Sequence, residues 1–587
     1  MKIHNKRLMA SVAMGAAAVM AFTACGNGGT DGDSASRGFE DCDDDPNNCN
    51  FDPNATGDKE IVWVIDGDWS GWSEVHSETM NNYTRQAIQP VFPTVGFWLP
   101  DGSWEHNPHV LTQEPHLVSE EPLTVEYNLN PEGGWGDGTP FSADDFIYNW
   151  YAWSGDSDLC NEQCQPRTTV YGSNVADIEE VDENTVHVVY RDGYLTPEWK
   201  YAVVLTNPAH LAEQYGFEDW KSDPVAMGES LENFAGTVPE YSAGPYRITD
   251  GVIGDYIMLE PNEEWTGDGP LAQSIRIESM DDPESIVTEI RQGSVHGASM
   301  GRYDPEVIQT LESAQEVNFA LTGGSAWRHF TLNVQNEFLR DEALRHAVLT
   351  VIDVQHVIDR TIGLTFEAAE PKTNHVFRND NDNYHVDYVA QAGHGSGDTA
   401  AAREILEDAG YTWEDDQLLT PDGVEVALEY RVPSTGADAQ TTAELVQQYL
   451  IDLGVDASIS TYAVEDFSRT LDNAEFDIIN FQWTGSPEFA NNPSAQWRSD
   501  STSNYGQLDS SAVDELVDSI FETADMDEAA ARANAAVEAV VAEAYVLPQS
   551  DSPELLVINE NLVNVRQNTQ TNLNTFYNIH EWGWSSE

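Results

Sequence analysis

Five cysteines are the first residues whose spacing could do chemistry. Cys25 stands alone, while Cys42 with Cys49 and Cys160 with Cys164 form two close pairs. An even set in an exported chain implies two local disulfides, which pin loops because short loops gain little chain entropy. A zinc site is not implied, since C-x3-C has no second half and no Cys/His set stands at ligand spacing. Asp41, Asp43, Asp44 and Asp45 could attract calcium, but their order departs from an Asp-x-Asp-x-Asp-Gly loop and leaves a solvated charge run. His375, His385 and His394 share one polar loop without the convergence a nickel site needs. The motifs G-x-S-x-G, H-E-x-x-H, G-x-x-x-x-G-K and S-x-x-K are absent, so nothing couples His and carboxylates into a catalytic unit. A binding protein without metal or cofactor is expected, not an enzyme. The stretch DGDWSGWSEVHSETMNNY, with Trp69 and Trp72 flanking a glycine, has the composition of a loop over a cleft.

The elements that would position such groups centre on Trp327 to Arg360. It opens as a strand, with Phe330, Leu332 and Val334 alternating against Thr331, Asn333 and Gln335. Leu344, Val348, Val351, Val354, Val357 and Ile358 then form one apolar stripe at helical spacing, predicting one long helix capped by Asp341 and ending before Gly363. The pair Gly323-Gly324 in front is where a chain can bend between two bodies. Strands are also predicted at 60–65, 123–129, 185–190, 424–432 and 476–483. Helices are predicted after Ser142, after Asp282, and in the runs ending at Gly410 and Gly454. Strands alternating with helices give α/β character, and 587 residues exceed one core.

The charge is extreme: 102 acidic against 26 basic residues, formally −76. Such a surface repels nucleic acid and anionic headgroups. It also opposes compaction unless screened, and at ~1 M salt the Debye length falls to about 3 Å, so a salty medium is expected. Lys2, Lys6 and Arg7 precede an apolar run from Leu8 to Ala24, which is a secretory signal over residues 1–24. Phe22-Thr23-Ala24-Cys25 resembles a bacterial lipobox, with Phe22 in place of the usual Leu. On that reading Cys25 is the lipid attachment point; the other reading is an ordinary signal peptide cleaved nearby. Residues 25–58, rich in Gly, Asp, Ser and Asn, are expected to be an acidic flexible tether.

The order of FSADDFIYNW, SAGPYRI with LEPNEEW, IRQGSVHGA, the strand with Asn333 and Arg345-His346-Ala347, AAREILEDAGY and the late AYVLPQ resembles family 5 extracellular solute-binding proteins of ABC importers, the oligopeptide/dipeptide/nickel-type group. The resemblance covers about 60 to 580. It implies a two-lobe periplasmic-binding-protein-like fold of type II, cluster C: residues 59–322 as lobe I with a subdomain at about 95–200, 323–546 as lobe II, and 547–587 returning to lobe I. The crossings would lie near Gly323-Gly324 and near Leu547-Pro548. A peptide or other small polar solute would be captured between hinged lobes outside the cell and passed to the membrane permease by a lipid-anchored monomer; a sugar- or oligosaccharide-binding member of the same family is the alternative, and a secreted hydrolase the alternative of a different class.

In peptide-binding relatives an aspartate after a Trp-containing strand pairs with the ligand ammonium. The region here is FQWTGSPEFANNP: Ser486 stands near that place and Glu488 is the nearest acid. Trp483 is the expected aromatic contact. Arg328 beside the hinge could meet a ligand carboxylate, and Trp69, Trp72, Trp327, Tyr246 and Tyr505 complete the candidates. Each has a packing alternative that sequence alone leaves open.

Overall fold

The computed structural model describes residues 36–42, 44–381, 383–571 and 574–586. The signal sequence, the lipobox and Cys25 lie outside them. One eleven-stranded sheet runs through the molecule. Its path is Asp456–Tyr462, Ala427–Pro433, Ile478–Trp483, Val317–Leu332, Val546–Asn559, Gly297–Met300, Ile61–Ile65, Ile275–Ser279, Tyr256–Pro261 and Tyr246–Val252, with Ser36–Arg37 paired to Val317–Leu332.

The long antiparallel strands Val317–Leu332 and Val546–Asn559 cross from one lobe to the other. Their pairing runs unbroken from Val317↔Asn559 to Gly323↔Pro553 and resumes at Trp327↔Asp551. Gly324, Ser325 and Ala326 therefore stand opposite Ser552 alone, a bulge that bends the ladder where the lobes part. The first crossing adjoins Gly323-Gly324. Leu547-Pro548, near which the second crossing is expected, pair with Phe330 and His329, while the bulge falls at Ser552. A second register shift between Arg328 and His329 accommodates Pro548, which has no N–H to give the ladder.

Separate apolar cores fill the two sides. Lobe II packs Phe330, Leu344, Val348, Val357, Leu450 and Val540. Lobe I joins Trp63, Ile277 and Tyr127 with the C-terminal Phe576 and Trp582, whose indole lies 4.5 Å from the Trp63 ring. Its subdomain is an antiparallel sheet, His116–Glu120, Leu123–Asn128, Thr185–Tyr190 and Val175–Asp182, covered by the helix Ala143–Trp153. The disulfides Cys42–Cys49 and Cys160–Cys164 are both formed.

Two expectations are corrected. The single helix expected from Asp341 is two, Glu342–Val351 and Val354–Arg360, broken at the extended Ile352. Asp353 accepts the His356 N–H at 2.9 Å and caps the second. The stretch expected as a flexible tether is packed from Ser36 on. Arg37 donates to Val317 O at 3.0 Å, Phe39 is buried, Asn50 donates to Val565 O at 2.9 Å, and Arg566 donates to Cys49 O at 2.9 Å.

Candidate functional site: the interlobe cleft

Register shows where the sheet delivers its loops. Gly297–Met300 runs antiparallel to Val546–Asn559 and parallel to Ile61–Ile65, so the carboxyl ends of these lobe I strands point toward Ser552. Ile478–Trp483 runs antiparallel to Val317–Leu332, with Trp483 paired to Trp327 and parallel Ala427–Pro433 beside it. Both lobes thus aim strand carboxyl ends at the bulge, the place where open α/β sheets bind ligands. Gly485, just past Trp483, packs so closely on Ser325 O that a Cβ would sit 2.3 Å from it.

On lobe I, Asp66 follows its strand and accepts the Gly301 N–H at 2.9 Å, while Arg302 donates to Asp66 O at 2.8 Å. Burial raises the Asp66 pKa, with the Gly301 N–H and Arg302 opposing, and its Oδ1 has no hydrogen-bond partner among the described residues. On lobe II, Trp483 and Tyr505 are parallel within 9° at 5.6 Å, and Trp483 and His329 within 8° at 6.1 Å. Phe481 stands edge-on to all three. Burial pushes His329 down to about 3, so this wall is neutral.

The Arg328 side chain makes no hydrogen bond or ion pair among the described residues. Burial lowers its pKa while Asp438, Tyr430 and Tyr462 pull the other way. In a chain with only 26 basic residues, a guanidinium left without a direct partner beside a cleft is notable.

Glu488 reaches from lobe II into a cavity of about 730 Å³, and it is the one lining residue from that lobe. The other walls come from the helix Asn82–Ile88, the strands Gly96–Trp98 and Trp104–His106, residues 201–205, and the C-terminal Arg566 and Tyr577. Such a volume suits a small ligand. Trp98 donates its indole N–H to Glu488 Oε1 at 3.1 Å. The carboxylate remains open to the cavity, yet the mass of protein around it raises its pKa, with the Trp98 bond, Arg85 and Arg167 opposing. Glu74 and Arg85, both lining the cavity, pair at 3.1 Å, and Arg167 approaches Glu74 at 3.8 Å from outside the lining.

The candidates separate. Glu488 lines the large cavity, while Trp483 and Tyr505 line a small pocket beside Thr331 and Trp497, and Arg328 stands beside the bulge. Trp69, Trp72 and Tyr246 are in the lobe I core, at 1%, 2% and 0% exposure. The Trp72 ring packs on Gly251, and Tyr246 donates to Ala272 O at 3.2 Å. Trp327 is also buried, between His329, His375 and the Lys372 ammonium. These four are packed among protein side chains and line neither the large cavity nor the small pocket; an aromatic beside a glycine looks the same in sequence whether it meets ligand or core. Trp98, Arg85, Arg167, Asp66 and Arg302 were not foreseen. Their roles come from partners distant in the chain, and no local spacing marks them.

Similar architectures are known. The "Periplasmic EDTA-binding protein EppA" superposes with a TM-score of 0.82 at 24% identity, covering 92% of this chain and 99% of its own. The oligopeptide-binding protein AppA from Bacillus subtilis, in complex with a nonapeptide, does so at 0.68 and 14%, covering 91% and 100%. The fold is that of a two-lobed type II periplasmic binding protein. Over 502 residues the chain is 26% identical to "Oligopeptide-binding protein OppA" of Mycobacterium tuberculosis, covering 84% of this chain and 79% of the relative. Residues 107–505 match "Bacterial extracellular solute-binding proteins, family 5 Middle", more than half of the chain, and the protein belongs to that family. It is a transport binding protein, not an enzyme.

Proposed function

We propose that this protein captures a peptide between its lobes outside the cell and delivers it to the permease of an ABC importer, held at the membrane as a monomer by a lipid on Cys25. The observation that carries the ligand class is Glu488: a cavity-facing carboxylate with one neutral donor, in a cavity also lined by Arg85, with Arg167 behind that wall and close enough to act on Glu488. That arrangement suits a zwitterion, its ammonium on Glu488 and its carboxylate toward the arginines. The mycobacterial and Bacillus relatives carry names in agreement. Among the described residues no helix is long and apolar enough to cross a membrane; the proposed attachment rests on the lipobox-like Phe22-Thr23-Ala24-Cys25.

Isothermal titration with di- to nonapeptides, sugars and metal–EDTA chelates tests the reading. Binding of free-amine peptides is expected, weakened by about 1.5–3 kcal/mol, roughly tenfold to a hundredfold, in Glu488→Gln. Equal affinity for N-acetylated peptides would contradict it. A second reading, a polycarboxylate chelate held in the same cavity by Arg85, gains support from the EDTA-binding relative, and the same panel decides it. The acidic surface further implies a salty medium. The thermal midpoint should rise from low to molar NaCl, and equal midpoints would contradict that part.

A further inference from the structure

Three hydrogen bonds besides Trp98–Glu488 join the subdomain side of lobe I to lobe II, and two of them end on one carboxyl. Glu198, 5% exposed, accepts the Ala490 N–H at 2.7 Å on Oε1 and faces the Asn491 side-chain amide at 3.2 Å with Oε2. Its neighbour Trp199 donates to Ala524 O at 3.1 Å. Glu198 and Glu488 thus meet the same short turn of lobe II, one from outside and one from within.

What this seam lacks is a cation. Among the described residues Glu198 forms no ion pair, and the charged group acting on it is the like-charged Glu488. Tyr194 and Tyr201 flank it on its own loop, and Tyr384 and Glu114 stand about Tyr201. Lys200 is held by Glu114 at 2.9 Å. Arg85 and Arg167 act on Glu488 instead. A buried carboxyl without a cation, beside a like charge, favours its neutral form.

We propose that Glu198 is the latch of the cleft, closing the subdomain onto the 488–491 turn as a neutral acid, so that closure takes up one proton and ionisation releases the lobes. This rests on the capture reading above and adds its regulation. As an acid, Glu198 keeps Oε1 as acceptor for Ala490 and carries its proton on Oε2, where Asn491 can turn its amide oxygen to receive it. Burial first, then Glu488, lift its pKa to about 8. An open, hydrated glutamate titrates near 4.3. The closed form therefore holds the proton more tightly than the open form. Closing is favoured below the open-form value, weakens by at most tenfold per pH unit between about 5 and 8, and levels off above.

Small-angle X-ray scattering of the ligand-free full chain in molar salt, at pH 5.5 and pH 8.5, tests the latch. The wild type is expected compact at 5.5 and expanded at 8.5, Glu198→Gln compact at both, and Glu198→Ala expanded at both. An unchanged wild-type radius, or a Gln variant that expands with the wild type, would overturn it. Near-ultraviolet circular dichroism should keep its folded signature at both values; loss of that signal in step with expansion would also overturn it, because the expansion would be unfolding. A pH response of this kind in a protein that binds nothing in the ligand panel would count against capture and leave the latch standing.

Discussion

At the crossing strands the lobes are joined by continuous chain and by two cations, one buried and one partly exposed. Lys372 is 3% exposed, pairs with Asp551 at 3.0 Å and donates to Phe377 O at 3.2 Å. Arg378 donates to Gly323 O and Gly324 O at 3.3 and 2.9 Å while Asp380 holds its other edge at 2.8 Å. At the subdomain seam the lobes meet through Glu198, Trp199 and Trp98, with no ion pair across these contacts. The first junction satisfies its bulged backbone with charge and must persist. The second uses single hydrogen bonds, each about 1 kcal/mol net, that can break and re-form. A hinge needs one junction of each kind.

That difference can be broken from either side. Lys372→Met leaves Asp551, about one-fifth exposed, without its cation, and should cost about 3 kcal/mol of unfolding stability, read as a lowered denaturation midpoint. Arg378→Leu strips the donor from two bulge carbonyls and should cost about 2 kcal/mol by the same measurement. Trp98→Phe removes only the indole N–H from Glu488 and should leave unfolding nearly unchanged while weakening closure by about 1 kcal/mol, seen as a several-fold loss in affinity for whichever panel compound binds. If Trp98→Phe proved as destabilising to the fold as Lys372→Met, the two junctions would not differ in kind.

The strand through Phe330 and Leu332 and the bend in front of it were legible in the sequence, since the alternation and the glycine pair are local signals. The helix break at Ile352 was not, because Val351 and Val354 keep the apolar stripe in step across it and only Asp353 hints at a new start. Composition marked residues 25–58 as a tether, but the packing from Ser36 on depends on Val317, Val565 and Arg566, partners no window sees. Among the site residues, Glu488 was reachable by following the strand that ends at Trp483. Glu198 was not: it sits in a plain loop, and its importance comes from burial against Ala490, 292 positions away.

Capture by closure is the central claim, and scattering with and without the tightest-binding panel compound at pH 8.5 tests it most directly. Contraction of the radius of gyration on binding is the predicted result. Tight binding with an unchanged radius would contradict the account.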